Sequence, residues 1–369
     1  LSACWKIWVS KVRIFCWMTL VVKILFCYAR RKSLFLAILV ISFIFVISCD
    51  KNPEVSEISG FALGTTYSIK IVAVKEKVDF DQIKTRIVNL LAAHESSFSV
   101  YEADSEISRF NTNSTTSWQH FSPKMISVLV ESDRIAKQTQ GAFDYTIGNL
   151  IEVWGFGKQQ RKAVIPEKQE IIQGIETSGF GKISLNVSES SAKKTDEKLT
   201  LNLSAIAKGY AVDQVAGLLE ENGISNYLVE IGGEIKTSGT KPQGKPWVVA
   251  IERPVPTERS IQRVMHLESN AMATSGDYRN YFEIKGKRFS HTINPKTGWP
   301  VNNKIASVSV ITPSCMRSDA MATALMVMGF EKGFAFAKQH GYAVFWILKE
   351  DGEFVEKHSP AFQPFLLEE

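Results

Sequence analysis

The sequence is short of cysteine. Of its five cysteines, Cys4, Cys16, Cys27 and Cys49 lie in the first 49 residues and only Cys315 follows. That excludes a disulfide framework from the body of the chain. Histidine is scarce too, at six residues, with no H-E-x-x-H and no other metal-ligand spacing, which argues against a zinc centre. No G-x-G-x-x-G follows a strand pattern, no complete G-x-x-x-x-G-K-[ST] loop occurs, and there is no G-x-S-x-G elbow. A dinucleotide bound here is held by some other architecture than the Rossmann or P-loop one. Internal repeats are absent. A basic surplus is absent as well: residues 1–49 hold seven basic residues and no acid, and the remainder carries 36 basic against 38 acidic residues. The body therefore has no nucleic-acid footprint.

What is present suits a globular protein. The 369 residues, 45% hydrophobic and 22% charged, can bury one large core. Ala29-Arg30-Arg31-Lys32 followed by the apolar run Leu34–Ser48 has the layout of an export signal. It ends Val46-Ile47-Ser48-Cys49, which resembles a bacterial lipoprotein box, with Cys49 as the lipidated first residue of the processed protein. A single membrane anchor with an incidental cysteine is the other reading, although the run is shorter than the roughly 20 residues that a span needs. Both place the body on the extracytoplasmic, periplasmic side of a membrane. Trp5–Tyr28 is a second apolar, basic segment, and Met18 is a plausible internal start. The expected organisation is a targeting segment over 1–49, a linker over 50–56 and one large domain over 57–369.

Along the body, apolar spacing predicts helices over 80–94, 123–138, 167–175, 204–223, 316–328 and 333–340, and a short helix from Ser105. Strands are expected from Thr66 and over 199–203, 227–231, 247–252, 263–268, 305–312 and 343–348, the last in a hairpin with Phe354–Val355. Helices and strands mix without regular βαβ alternation. The fold class that follows is α+β with a mainly antiparallel sheet.

The most informative stretch is Ala271–Pro300. It reads as a small-residue turn at Thr274–Asp277, an aromatic hairpin of Tyr278–Ile284 and Lys287–Thr292 closing at Lys285-Gly286, and a turn cluster at Asn294–Gly298. Ser275, Asp277, Arg279, His291 and Lys296 crowd around it, more polar groups than a small hairpin needs. Asp319 and Thr323 stand four apart on a helix whose other residues are small or apolar, so they share a face. Together they are hard oxygen donors for Mg²⁺ or Ca²⁺. Alternatively Asp319 answers the helix dipole and Thr323 bonds its own backbone. Lys208 opens a helix beside Gly209, a weak phosphate signal by itself. Gly141-Ala142-Phe143-Asp144 fits either a close backbone approach to a ligand or a glycine helix cap. Gly232-Gly233-Glu234 is a tight turn.

Several of these stretches resemble one family. The run Thr274-Ser275-Gly276-Asp277-Tyr278-Arg279-Asn280-Tyr281-Phe282 followed by Ser290-His291-Thr292-Ile293-Asn294-Pro295, with Thr297-Gly298 and Pro300, is similar to the FAD:protein FMN transferases of the ApbE type. The resemblance extends from Ala62 to Met328 through Leu63–Tyr67, Tyr101–Asn111, Gly141–Thr146, Trp154–Gly157, Asn202–Asp213, Val229–Glu234 and Ser314–Ala320 with Thr323. It implies binding of FAD and, with Mg²⁺, transfer of its FMN half to a Thr or Ser hydroxyl of an acceptor protein, with AMP leaving. It places the flavin against Leu63, Tyr101 and Ala142-Phe143-Asp144. Asn202 and Lys208 hold the nucleotide and phosphates, and His291–Ile293 closes over them. The Ala205 carbonyl, Asp319 and Thr323 hold the metal. Lys208 and Asp319 serve the catalysis, with His291 as general base, a role suited to an imidazole near neutral pH.

The chain departs from the common family pattern at four positions: Leu63 where Met is frequent, Asn149 where Pro is, Asn202 where Asp is, and Ser318 where Ala is. Asn202 keeps an acceptor oxygen but drops a negative charge. Three readings stay open: the transferase, acting on a membrane-associated electron-transfer subunit; a hydrolase splitting FAD into FMN and AMP; and a non-catalytic flavin-binding lipoprotein. The presence of Lys208, His291, Asp319 and Thr323 disfavours the third.

Overall fold

The computed structural model describes residues 54–73, 78–158, 164–255, 260–278 and 280–367. The targeting segment with Cys49, and Arg279, lie outside the described residues. Eight strands form one antiparallel sheet. In spatial order they are Glu54–Ala62, Thr65–Ala73, Tyr227–Ile231, Glu234–Ser238, Ala271–Gly276, Ile305–Thr312, Ala343–Glu350 and Glu353–His358. This spatial order is also the chain order. The architecture is the α+β arrangement that the missing βαβ alternation predicts.

Strand alternation sorts side chains to the two faces. On one face, Ile69, Ile71, Val229 and Ile231 meet Ile83, Ile87 and Leu91 of helix Phe80–Phe98 and Val215 and Leu219 of helix Ala207–Glu221. Further along, Val308, Val310, Val344 and Trp346 meet helices Pro123–Gln138 and Cys315–Met328. The residues between them, Ala306, Ile311, Phe345 and Ile347, pack against Val249, Ile251, Met265 and Phe362. These belong to the two-stranded ladder Val248–Glu252 and Ile261–His266 and to the helical turn Pro360–Phe365. Side-chain caps start four of the helices where the sequence offers Asp or Ser. Asp79, Ser105, Ser122 and Ser314 each accept a backbone N–H from the first turn.

Several expectations need correction. The expected strand over 199–203 is absent, and Thr200 only bridges Ile147. Leu199, Leu201 and Leu203 are buried in the core with the helices instead of in a ladder. Thr274–Gly276 is not a turn but the end of strand Ala271–Gly276, paired with Ser307–Ser309. Its small side chains leave room above the sheet rather than bending the chain. The hairpin is shorter than expected, Tyr281–Ile284 with Lys287–Ser290, though it does close at Lys285-Gly286. The Ser/Lys-rich turn contains strand Ser191–Lys194, paired with Ile183–Asn186. The first strand begins at Glu54, inside the segment expected to be a linker. Among the described residues, no helix is long and apolar enough to cross a membrane.

Candidate active site

Two helices form the floor of the site, and glycine sets how closely they approach. Gly209 is the third residue of helix Ala207–Glu221 and lies against the first residues of helix Cys315–Met328. A Cβ at Gly209 would run into the Cys315 carbonyl and the Met316 Cα. The contact lets Gly209 donate its backbone N–H to Asp319 Oδ2 at 3.0 Å. One turn further on, Asp213 ties the same helices together. Its carboxylate accepts from Cys315 N at 3.1 Å, Met316 N at 3.0 Å and Ser314 Oγ at 2.8 Å, and pairs with Lys236 Nζ at 2.8 Å. A carboxylate on free N–H groups at a helix start is favoured by the helix dipole.

The sheet supplies the walls. The turn Gly232-Gly233, both with positive φ, brings strand Glu234–Ser238 back along its neighbour. Glu234 Oε1 then lies 2.5 Å from Lys208 Nζ. Ser275, at the end of its strand, shares a hydrogen bond with Thr323 Oγ1 at 3.1 Å. These groups line a cavity of about 680 Å³ together with Asn202, Ala205, Asp319, His291 and Ile293. Burial raises the Asp319 pKa against the opposing Lys208 ammonium and the Gly209 N–H. Burial likewise pushes Glu234 up to about 7; Lys208 opposes the shift and Asp319 adds to it. Burial works against the Lys208 charge, but Glu234 and Asp319 hold its pKa above the usual lysine value. Two buried carboxyl groups thus face one half-buried ammonium.

His291 follows strand Lys287–Ser290 and reaches the cavity because the hairpin is docked by aromatics. Phe282 and Phe289 stack across the hairpin at 5.4 Å, and Phe289 stacks on Trp154 at 5.6 Å. Trp154 Nε1 donates to the Gly298 carbonyl at 2.7 Å, and Phe156 meets His291 edge-on at 6.3 Å. His291 Nδ1 lies 2.9 Å from the Asn280 carbonyl oxygen. A carbonyl only accepts, so Nδ1 carries the hydrogen and Nε2 keeps its lone pair. Burial lowers the His291 pKa and the Lys208 charge lowers it further, while the Asn280 contact and Asp277 oppose. The ring is neutral at pH 7.

The remaining expected site residues sit elsewhere. Leu63 turns the first hairpin at φ 56° and donates its N–H to Glu95 Oε1. Tyr101 is exposed. Phe143 is in the core. Asp144 accepts from Thr146 N, Thr146 Oγ1 and Phe180 N, and so braces its own loop. Ala142 lines a second cavity of about 360 Å³ with Asn294 and Lys296. None of these five lines the cavity of Lys208 and Asp319. Gly141 has φ 78° and donates to the Ala136 carbonyl, as a helix-capping glycine does. In the hairpin stretch, Asp277 is taken up by Lys349 at 2.8 Å.

The family comparison agrees with this geometry. Residues 63–346 match the ApbE family. The chain belongs to the ApbE family. A curated relative from Vibrio cholerae, named FAD:protein FMN transferase, is 42% identical over 88% of this chain and 97% of its own length. One of the same name from Escherichia coli K12 is 36% identical over 88% and 95%. Among solved structures, the flavin transferase ApbE from Vibrio cholerae superposes with a TM-score of 0.78 at 39% identity, over 85% of this chain and all of that one. The apo flavinyl transferase ApbE from Pseudomonas stutzeri gives 0.78 at 34% identity, over 85% and 98%. The large antiparallel sheet with packed helices is therefore the ApbE fold.

Sequence reading did not single out Glu234 or Asp213 as parts of the site. Each carried a signal: Glu234 is an acid directly after two glycines, and Asp213 lies four residues after Gly209 on the same helix face.

Proposed function

We propose that this chain is an FAD:protein FMN transferase, which moves the FMN half of FAD onto a Thr or Ser hydroxyl of an acceptor protein and releases AMP. The observation that carries the reading is the convergence of Lys208, Asp319, Thr323 and His291 on one cavity, in a chain whose relatives bear that name. In the reaction the hydroxyl oxygen bonds to the flavin-side phosphorus, the bond from that phosphorus to the bridging oxygen breaks, and AMP departs with that oxygen. His291 Nε2 takes the hydroxyl proton. Lys208, held protonated by Glu234, meets the pyrophosphate charge.

The residues fit a hard divalent cation such as Mg²⁺. Asp319, Thr323 and the Ala205 carbonyl offer three oxygen donors on one cavity wall. Burial raises the pKa of both Asp319 and Glu234, and a bound cation would favour their ionised forms. Among the described residues no group of three or more His, Cys, Asp or Glu is placed to hold a metal ion; the donors named here are one carboxylate, one hydroxyl and one carbonyl oxygen. Bound there, Mg²⁺ would neutralise charge on the pyrophosphate oxygens.

The deciding experiment incubates the protein with FAD, Mg²⁺ and a Thr-bearing acceptor and weighs the acceptor. A gain equal to one FMN phosphoryl group, with one AMP released, supports the reading. Free FMN and AMP with an unlabelled acceptor would make the protein a hydrolase.

The location proposed with this function is a membrane surface outside the cytoplasm, with Cys49 lipidated and a membrane electron-transfer subunit as acceptor. The lipobox-like Val46–Cys49 supports it. Replacing Cys49 with Ala should abolish lipid labelling, and a processed, lipid-labelled C49A protein would sink the idea.

A further inference from the structure

Glu234 is 3% exposed, yet only one of its two carboxylate oxygens is satisfied. Oε1 pairs with Lys208 Nζ at 2.5 Å, and the buried Oε2 has no hydrogen-bond partner. An unpaired buried carboxylate oxygen is costly, so a partner in the working complex is expected. The residue lines the cavity of Asp319, Thr323 and His291, so that partner arrives with whatever fills the cavity. It must donate. The ion pair with Lys208 favours the ionised carboxylate; an ionised oxygen would repel a phosphate oxygen, which leaves a neutral O–H or N–H, or a cation.

Lys208 narrows the choice. The ammonium and the free oxygen are held by the same carboxylate, so the donor lies within a few ångströms of the positive charge that faces the pyrophosphate. In a dinucleotide the donors next to the phosphates are the hydroxyls of the sugar and of the polyol chain. Ring N–H groups are further away. We propose that Glu234 is a substrate-binding residue whose Oε2 accepts a hydrogen bond from a sugar or polyol hydroxyl of the bound dinucleotide. One carboxylate would then fix the lysine on the phosphate side and the hydroxyl on the sugar side. The proposal rests on the function proposed above, which provides the dinucleotide.

The test is equilibrium binding to the full protein, with E234Q as the main variant. The Gln amide oxygen can keep the Lys208 contact while its NH₂ group, a donor, faces the cavity. FAD affinity should fall about ten- to a hundredfold, while pyrophosphate, which has no hydroxyl to lose, should bind no more weakly than to the wild type. A loss for ADP but not FMN assigns the hydroxyl to the ribose, and the reverse assigns it to the ribityl chain. Parallel losses of FAD and pyrophosphate would overturn the proposal, because Glu234 would then act only through Lys208. So would a loss that appears with Mg²⁺ and vanishes in EDTA, which would make Oε2 a cation ligand. If E234Q does not fold, wild-type protein decides with hydroxyl-deleted ligands: equal affinity for ADP and 2′-deoxy-ADP, together with equal affinity for FMN and its deoxyribityl analogue, overturns the proposal. Wild-type protein that binds no FAD at all fails the function and the proposal together, whereas normal FAD binding unaltered in E234Q fails the proposal alone.

Discussion

The backbone N–H of Gly209 donates to Asp319 Oδ2 at 3.0 Å, across 110 positions of sequence. With the bonds that Asp213 accepts, it joins the helix that carries Lys208 to the helix that carries Asp319 and Thr323. It exists because position 209 has no side chain.

Gly209→Ala should therefore damage stability and site together. Its Cβ would meet backbone at Cys315 and Met316, which cannot turn aside as a flexible side chain can. A loss of about 1–3 kcal/mol in urea denaturation is expected, with weakened Mg²⁺ binding from the parted helices. An unaltered denaturation midpoint would show that the helices are not held at contact distance.

Asp319→Asn separates cation binding from structure. The amide oxygen keeps the Gly209 contact and removes a buried charge, so the melting temperature without Mg²⁺ should hold. Mg²⁺ affinity by calorimetry should fall about tenfold or more, since Mg²⁺ sites rely on one or two carboxylates. Undiminished affinity would move the cation elsewhere.

His291→Ala should slow transfer by roughly two to four orders of magnitude with a smaller effect on FAD affinity. The wild-type rate should fall at acid pH as Nε2 gains a proton. Because the His291 pKa is lowered from 6.5, the midpoint of that fall should lie below 6.5. The mutant should lose this limb. A combined drop in melting temperature and FAD affinity, with the limb retained, would reduce His291 to a packing residue.

His94 should govern acid stability. It is buried against Phe98 at 4.5 Å, and burial, helped by Lys124, lowers its pKa from 6.5 to about 3. Its folded pKa is depressed, so its contribution is whole above 6.5 and is lost as pH falls towards 3. At pH 5 the loss is roughly 2 kcal/mol. His94→Phe should flatten the stability curve between pH 6.5 and 4, and an unchanged slope would show that His94 does not remain neutral in the fold.

Much of this was legible in the sequence, for reasons that differ from residue to residue. Asp319 and Thr323 could be paired because a helix puts positions four apart on one face. The hairpin that delivers His291 was visible in its aromatics and in the Lys285-Gly286 turn. The strand at Ala271–Gly276 was not visible, because Ala and Gly are depleted in strands, Thr274 is its one β-branched residue, and the sheet around them decides their conformation. Glu234 escaped for another reason. Its partner Lys208 comes near only after two strands and a helix have packed, and no local spacing records that. The resemblance supplied the grouping of Lys208 with Asp319; the geometry added Glu234 and Asp213.

The eight strands of the large sheet lie side by side in the order in which they occur along the chain. A chain that emerges N-terminus first can therefore lay them down one after another, each new strand pairing with the exposed edge of the last. The site does not mature at that pace. Lys208 and Glu234 are in place by the fourth strand, Ser275 comes with the fifth, and Asp319 and Thr323 arrive only with the helix after the sixth. A partly emerged chain carries a growing sheet with an open edge and no complete oxygen cage. Cation binding would thus report the arrival of residues 315–328, and a chain cut before them should neither bind the ion nor stop recruiting strands.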